Sequence, residues 1–270
     1  MTETTSTRHP PLTAGPRIAS LESDTRIWFT LTVFLFLTCR TAAGHLEVFV
    51  IFLLFGPPGC GKGTQAAYLA GRFHIPAIST GEMFRAECKA GTELGKAACE
   101  ILAKGALVGD DLVNGIVANR IARPDCANGF LLDGYPRTVP QAIYFSAVLR
   151  ERDLPVPVVI HLDVPDEALV SRLTARRQCP DCGHIYNALL QPPQITGLCD
   201  RDGAALITRE DDREEVIRRR LRAYDELTGP ILKWYGPSVV RTVDGTRSAD
   251  DVARAVARVA MEATSLVGVG

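Results

Sequence analysis

The chain has 270 residues, of which 30 are basic, 31 are acidic and 46% are hydrophobic. That balance excludes an intrinsically disordered chain and a multi-span membrane protein, and the near-zero net charge argues against a nucleic-acid or membrane-surface partner. The length suits one medium domain with inserted subdomains, or two small domains, and can bury a sizeable core.

Any anion such a chain binds must be gripped locally. Only 5 of the basic residues are lysine, so an arginine carries weight only inside a motif. The 8 cysteines are unevenly spaced in a chain too long to need stapling, which points to metal ligation and free thiols rather than disulfides.

Residues 1–26 are rich in Thr, Ser and Pro without periodic apolar positions, so disorder is expected there. A 13-residue apolar stretch follows at 27–39, with Arg8, Arg17 and Arg26 before it and Thr41-Ala42-Ala43 after it. It looks like a signal-peptide core and is short for a membrane span. Export or tethering is one reading of residues 1–45; a non-native start or a dispensable extension is the other.

Val48 to Phe55 is a continuous β-branched and aromatic run, as a strand buried on both faces of a parallel sheet requires. It leads into Gly56-Pro57-Pro58-Gly59-Cys60-Gly61-Lys62-Gly63-Thr64, after which Gln65 to Phe73 reads as a helix. The glycines let backbone N–H groups approach phosphate oxygens, the helix adds its positive end, and Lys62 sets an ammonium on the outer phosphates. Gly59, Cys60, Gly61, Lys62, Gly63 and Thr64 are thus the candidate triphosphate cradle, with Cys60 a small filler open to alkylation. The general pattern places Ser or Thr directly after the lysine to hold magnesium, but here Gly63 stands there and Thr64 follows. This variant resembles the nucleoside monophosphate kinases, in which magnesium is held largely through nucleotide phosphates and water.

Pro76 to Ser79 predicts a second strand, ending in Ser79-Thr80-Gly81-Glu82-Met83-Phe84-Arg85. Phe130 to Asp133 predicts a third, ending in Asp133-Gly134-Tyr135-Pro136-Arg137-Thr138, with Gln141 one turn further on. Ligands of doubly wound sheets bind beyond the carboxyl ends of the strands, so the three motifs converge on one cleft. Together they resemble the adenylate kinase family, over residues 50 to about 262. By that resemblance Thr80, Arg85, Gly134, Tyr135, Pro136, Arg137 and Gln141 line an AMP site. Ala106, Leu107 and Val108 add contacts at the end of an AMP-binding arm over 79–108. Asp133 suits a carboxylate on the magnesium water shell, or a turn cap before Gly134.

Val158 to Leu162 predicts a fourth strand, and Pro165 opens a helix expected to run through Arg177, with Arg172 and Arg176 on one face. Further on, Thr208-Arg209-Glu210-Asp211-Asp212 precedes a long amphipathic helix bearing Arg218, Arg219 and Arg220. The resemblance implies Arg176 on ATP, Arg209 and Arg220 on the AMP side and the transferred phosphoryl, and Arg172 supporting ATP and a closed lid. Four like charges held close together repel unless a polyanion sits among them.

Between those arms the spacing Cys179-x2-Cys182-x16-Cys199-x2-Asp202 falls in the zinc-ribbon range, with aspartate in the fourth place. Four protein ligands make such a site structural rather than catalytic. His184 breaks the symmetry of the two knuckles and is not taken as a ligand. The resemblance extends to the zinc-bearing lid of bacterial adenylate kinases and puts Ile185 and Tyr186 on the adenine of ATP. Val239 to Val243 predicts a fifth strand; the loop Asp244 to Arg247 would touch the adenine through the Arg247 backbone. Ser248, with Asp251 three residues on, caps a final helix whose apolar stripe is Val252, Val256 and Val259.

The expected architecture over 46–270 is α/β and P-loop NTPase-like: a five-stranded parallel sheet with helices on both faces, an inserted arm at 79–108 and a zinc lid at 175–208. The implied reaction is reversible phosphoryl transfer from MgATP to AMP, giving two ADP, in a cytoplasmic monomer. AMP phosphate is already an anionic nucleophile, so no general base is needed, and Lys62, Asp133, Arg137, Arg172, Arg176, Arg209 and Arg220 are the candidate catalytic set. The alternatives are another acceptor such as UMP or CMP, GTP as donor, or a non-catalytic nucleotide-binding regulator.

Overall fold

The apolar run before the glycine loop forms β1 (Val50–Phe55), all of it buried. Its alternation serves two cores at once: Ile51, Leu53 and Phe55 enter one, Val50, Phe52 and Leu54 the other. The computed structural model describes residues 49–267, so the apolar stretch at 27–39 and the remainder of 1–48 lie outside the described residues.

Strands β2 (Ala77–Ser79), β3 (Gly129–Asp133), β4 (Val158–Asp163) and β7 (Val240–Asp244) join β1 in a sheet of order β2-β3-β1-β4-β7. Every pairing in it is parallel. Helices α1 (Lys62–Phe73), α6 (Asp166–Thr174), α7 (Glu214–Ala223) and α9 (Ala249–Val267) send Leu69, Leu169, Leu173, Ile217, Val252 and Val256 into the core that takes Phe52 and Leu54. Helices α4 (Asp110–Ile121), α5 (Val139–Glu151) and α8 (Gly229–Tyr235) bury Val117, Phe145 and Ile231 against the opposite face. At α9, Ser248 Oγ accepts from the Asp251 N–H at 3.2 Å and donates to its carboxylate at 2.6 Å. Among the described residues no helix is long and apolar enough to cross a membrane.

Two expectations are corrected. The helix predicted through Arg177 ends at Thr174, and Arg176–Gln178 instead forms β5, paired antiparallel with β6 (Ile185–Asn187). The cause is tertiary: β5 gains a partner strand, and Arg176 gains a two-pronged ion pair with Asp212. Arg172 and Arg176 therefore do not share a helix face.

The second correction concerns the cysteines. Cys88 of α2 (Thr80–Ala90) is disulfide-bonded to Cys99 of α3 (Glu93–Ala103), with Cα atoms 5.7 Å apart. The helices meet closely because Gly95 has no side chain: a Cβ there would fall 2.0 Å from the Glu87 carbonyl oxygen. Peptide mapping without reductant should recover the Cys88 and Cys99 peptides as one linked species; two separate peptides would contradict the pairing.

Candidate functional site

The carboxyl end of β1 leaves the centre of the sheet, between β3 and β4, and the chain must turn at once. Gly56 makes the turn at φ +149°, where a Cβ would lie 2.5 Å from Cys60 Sγ and 2.8 Å from the Leu162 carbonyl oxygen. Helix α1 then begins with Gly61 as its cap, no side-chain cap bond and no acidic residue in its first turn. Its positive end faces the loop without an internal carboxylate to neutralise it. Lys62 Nζ lies over the loop, donating to the carbonyls of Gly56 at 2.7 Å and Pro57 at 3.0 Å. Cys60 is only 2% exposed and burial raises its thiol pKa, so the thiolate needed for alkylation is suppressed, contrary to the sequence expectation.

The cleft above this loop has a volume of about 800 Å³ and is lined by Gly59 to Thr64, Asp133 at the end of β3, and residues from both inserted segments. On one side Ser79 Oγ caps α2 by accepting from Glu82 N, and Arg85, one turn further along, lines the cleft. Thr80 Oγ1 donates to the Gly134 carbonyl at 2.9 Å, which also accepts from Arg137 Nε at 2.8 Å. Gly134, Pro136, Arg137, Ala106 and Leu107 face the cleft.

Four residues of the predicted AMP set sit behind that wall rather than on it: Thr80, Val108, Tyr135 and Gln141 are all buried. Tyr135 donates to Asn114 Oδ1 at 2.7 Å and is followed by a cis peptide bond to Pro136. Gln141 accepts from the Arg137 N–H at 2.7 Å and donates to Asp110 Oδ1 at 2.7 Å, while Thr138 Oγ1 donates to Asp110 Oδ2 at 2.9 Å. Asp110, which the sequence reading missed, thereby anchors the whole motif loop to the start of α4.

Seven arginines line the cleft: Arg85, Arg137, Arg172, Arg176, Arg209, Arg220 and, at its far end, Arg247. Burial pushes the Arg137 guanidinium pKa down, and Arg220 beside it adds to the effect. Burial, then Arg176 and Arg85, lower that of Arg209 to about 9. Among the described residues Arg209 Nη2 is buried with no hydrogen-bond partner. Two acids hold the cluster in shape. Asp212, its side chain fully buried, takes Arg176 by two prongs and Arg220 at 3.5 Å; Asp211 takes Arg220 at 3.0 Å. Burial works to raise the Asp211 carboxyl, yet Arg220, Arg176, Arg209 and Arg85 hold it below the ordinary carboxylate value. The sequence signal for both was their place directly after Arg209-Glu210. Guanidinium groups outnumber the carboxylates here, which is the arrangement a polyanion relieves.

The far end of the cleft is lined by Ile185, Tyr186, Asn187 and Leu190 on one side and Gly245, Thr246 and Arg247 on the other. Arg172 donates to the carbonyls of Gly245 at 2.9 Å and Thr246 at 3.3 Å. Across the mouth, Lys89 of α2 donates to the Pro180 carbonyl at 3.0 Å, so the two inserted segments touch.

In the second insert, the donor atoms of Cys179, Cys182, Cys199 and Asp202 all lie within 4.8 Å of one another. Cys179 Sγ is 3.2 Å from the Asp202 carboxylate, and Cys182 Sγ is 3.6 Å from Cys199 Sγ. A tetrahedral zinc with sulfur ligands spaces them about 3.8 Å apart, so these donors fit the ion. The knuckles match each other: Gly183 N–H donates to the Cys179 carbonyl at 3.1 Å and Gly203 N–H to the Cys199 carbonyl at 2.8 Å. His184 is turned away, its ring against Tyr186 at 4.6 Å. The segment's apolar core is only Cys179, Tyr186 and Cys199 with Ala204 and Leu206 beside them, too little to hold a fold unaided.

A parallel sheet with a glycine loop at its centre and two arginine-bearing inserts meeting over it defines a P-loop kinase that takes two nucleotides, a nucleoside monophosphate kinase. The family model for adenylate kinase matches residues 54–239. The chain is 46% identical over 211 residues to the adenylate kinase of Trichlorobacter lovleyi, covering 78% of this chain and 99% of the relative. It is 51% identical over 183 residues to that of Oceanobacillus iheyensis, covering 68% and 85%, and 47% over 201 residues to that of Methanococcoides burtonii, covering 74% and 93%. The chain belongs to the adenylate kinase family and is an ATP:AMP phosphotransferase.

Proposed function

We propose that ATP lies along the glycine loop with its base between Arg247 and the pair Ile185 and Tyr186, while AMP lies on the side of Arg85 and Arg137. The two nucleotides meet end to end under the arginines. Gly59 to Thr64 cradle the triphosphate, with Lys62 on its outer phosphates and Arg176 on the donor. Arg209 and Arg220 neutralise the moving phosphoryl from the acceptor side. Thr80, Ala106 to Val108, Gly134 to Pro136 and Gln141 shape the acceptor pocket. Catalysis is then positioning and charge neutralisation, because the attacking phosphate oxygen carries no proton to remove.

Magnesium bound with ATP would neutralise phosphate charge, and Asp133, at the end of β3 in the cleft lining, would hold its water shell. The segment 175–208 acts as a lid that, with the arm at 79–108, closes and excludes water able to hydrolyse ATP. Zinc in the lid would be structural. The reading further takes the protein as a cytoplasmic monomer acting on ATP, AMP and ADP.

The observation that carries this reading is the buried Nη2 of Arg209, a donor without an acceptor among the described residues, amid six other arginines lining one cleft. Arg85→Ala tests the assignment of ends. We expect KM for AMP to rise about tenfold or more, the loss of a charge-assisted bond, with KM for ATP changed by less than about twofold. A rise confined to ATP would reverse the two ends.

A further inference from the structure

Asn187 is the last residue of β6 and stands where the lid hairpin returns toward the core. Both ends of its carboxamide are engaged. Nδ2 donates to the Arg172 carbonyl at 3.1 Å, and Oδ1 accepts from the N–H groups of Leu189 and Leu190, each at 2.9 Å. Backbone bonds between Asn187 and Gln191, at 2.9 and 3.2 Å, close the turn. Leu190 and Ile185 then face the cleft although they are exposed apolar side chains, at 69% and 38%.

Arg172 is the other half of the device. Its carbonyl receives the lid through Asn187, while its guanidinium holds the Gly245 and Thr246 carbonyls of the opposite wall. One residue at the end of α6 thus sets the spacing between an apolar lid surface and a backbone edge, a slot suited to a flat heteroaromatic ring.

We propose that Asn187 is a positioning residue for the donor base: it hangs the lid turn on Arg172 and so fixes the width of that slot. The proposal rests on the assignment of ATP to this end of the cleft. Asparagine is needed for both halves of its amide. Alanine loses both functions, whereas aspartate keeps the two acceptor bonds and sets a carboxylate against the Arg172 carbonyl.

The test is steady-state kinetics of the metal-loaded full chain with Asn187→Ala, Asn187→Asp and Arg172→Ala. We expect KM for ATP to rise about tenfold in both Asn187 variants, the loss of about 1.4 kcal/mol of binding, with KM for AMP and kcat within about twofold of the parent. Metal content and melting temperature of the Asn187 variants should match the parent, which separates positioning from damage to the lid. An ATP KM unchanged in either Asn187 variant, or an AMP KM rising in step with it, would overturn the proposal. Should Arg172→Ala raise the KM for AMP instead of ATP, the assignment of ends fails, and the proposal with it.

Discussion

Replacing Lys62 with alanine should lower kcat by about three orders of magnitude, equivalent to about 4 kcal/mol of transition-state stabilisation. Its ammonium is the cation that starts the helix carrying the glycine loop, and its bonds in the ligand-free chain are to the Gly56 and Pro57 carbonyls and, at 3.8 Å, to Cys60 Sγ. Gly56 and Lys62 line an open cleft, where water can reach the acceptor that the lysine leaves, so folding depends little on the side chain. The melting temperature should therefore stay within a few degrees of the parent. Lys62→Arg should not restore the rate, because a broad planar fork cannot set a compact point charge at the same place beside the phosphates. Initial rates of ADP formation with saturating ATP and AMP decide the matter, read beside a thermal melt. Near-parental turnover in the alanine variant would remove Lys62 from the chemistry, and a collapsed melt would make its role structural.

The central strands were legible because burial on both faces leaves a clear mark: the runs up to Phe55 and Leu132 are apolar without alternation. The runs ending at Leu162 and Val243 are interrupted by His161 and by Arg241-Thr242, yet all four strands start or stop within two residues of their predicted bounds. The glycine loop and the arginine motifs were equally legible, since each depends on residue type at fixed local spacing. What escaped was decided at long range. The residues up to Arg177 continue a helical pattern, but pairing with β6 and the reach to Asp212, 36 residues away, outweigh local propensity. Cys88 and Cys99 carry no spacing signal either. Their meeting follows from how closely two helices pack at Gly95, which a sequence does not display. Asp110 and Asn187 stayed hidden for a related reason, because each works through the carbonyls and amides of residues that motifs had already claimed.

Stripping the lid metal is the other change with a large expected effect. The proposed zinc would bind a segment whose own buried cluster consists of three side chains, two of them the ligands Cys179 and Cys199. Without the ion, three sulfurs and a carboxylate converge with nothing positive between them, and once the thiols ionise the cluster repels itself. Binding free energy in such a site is folding free energy, so its removal should unfold the segment locally while the sheet, with separate cores on each face, persists. Metal analysis of protein purified without added metal should find about one zinc per chain. Chelation should lower the first melting transition by more than about 5 °C and open cleavage sites between Cys179 and Leu206 to protease. Asp202→Ala should weaken metal retention while Cys179, Cys182 and Cys199 still bind, giving partial rather than complete loss. A chelated chain that melts and resists protease like the untreated one would mean that the four donors hold their places without an ion.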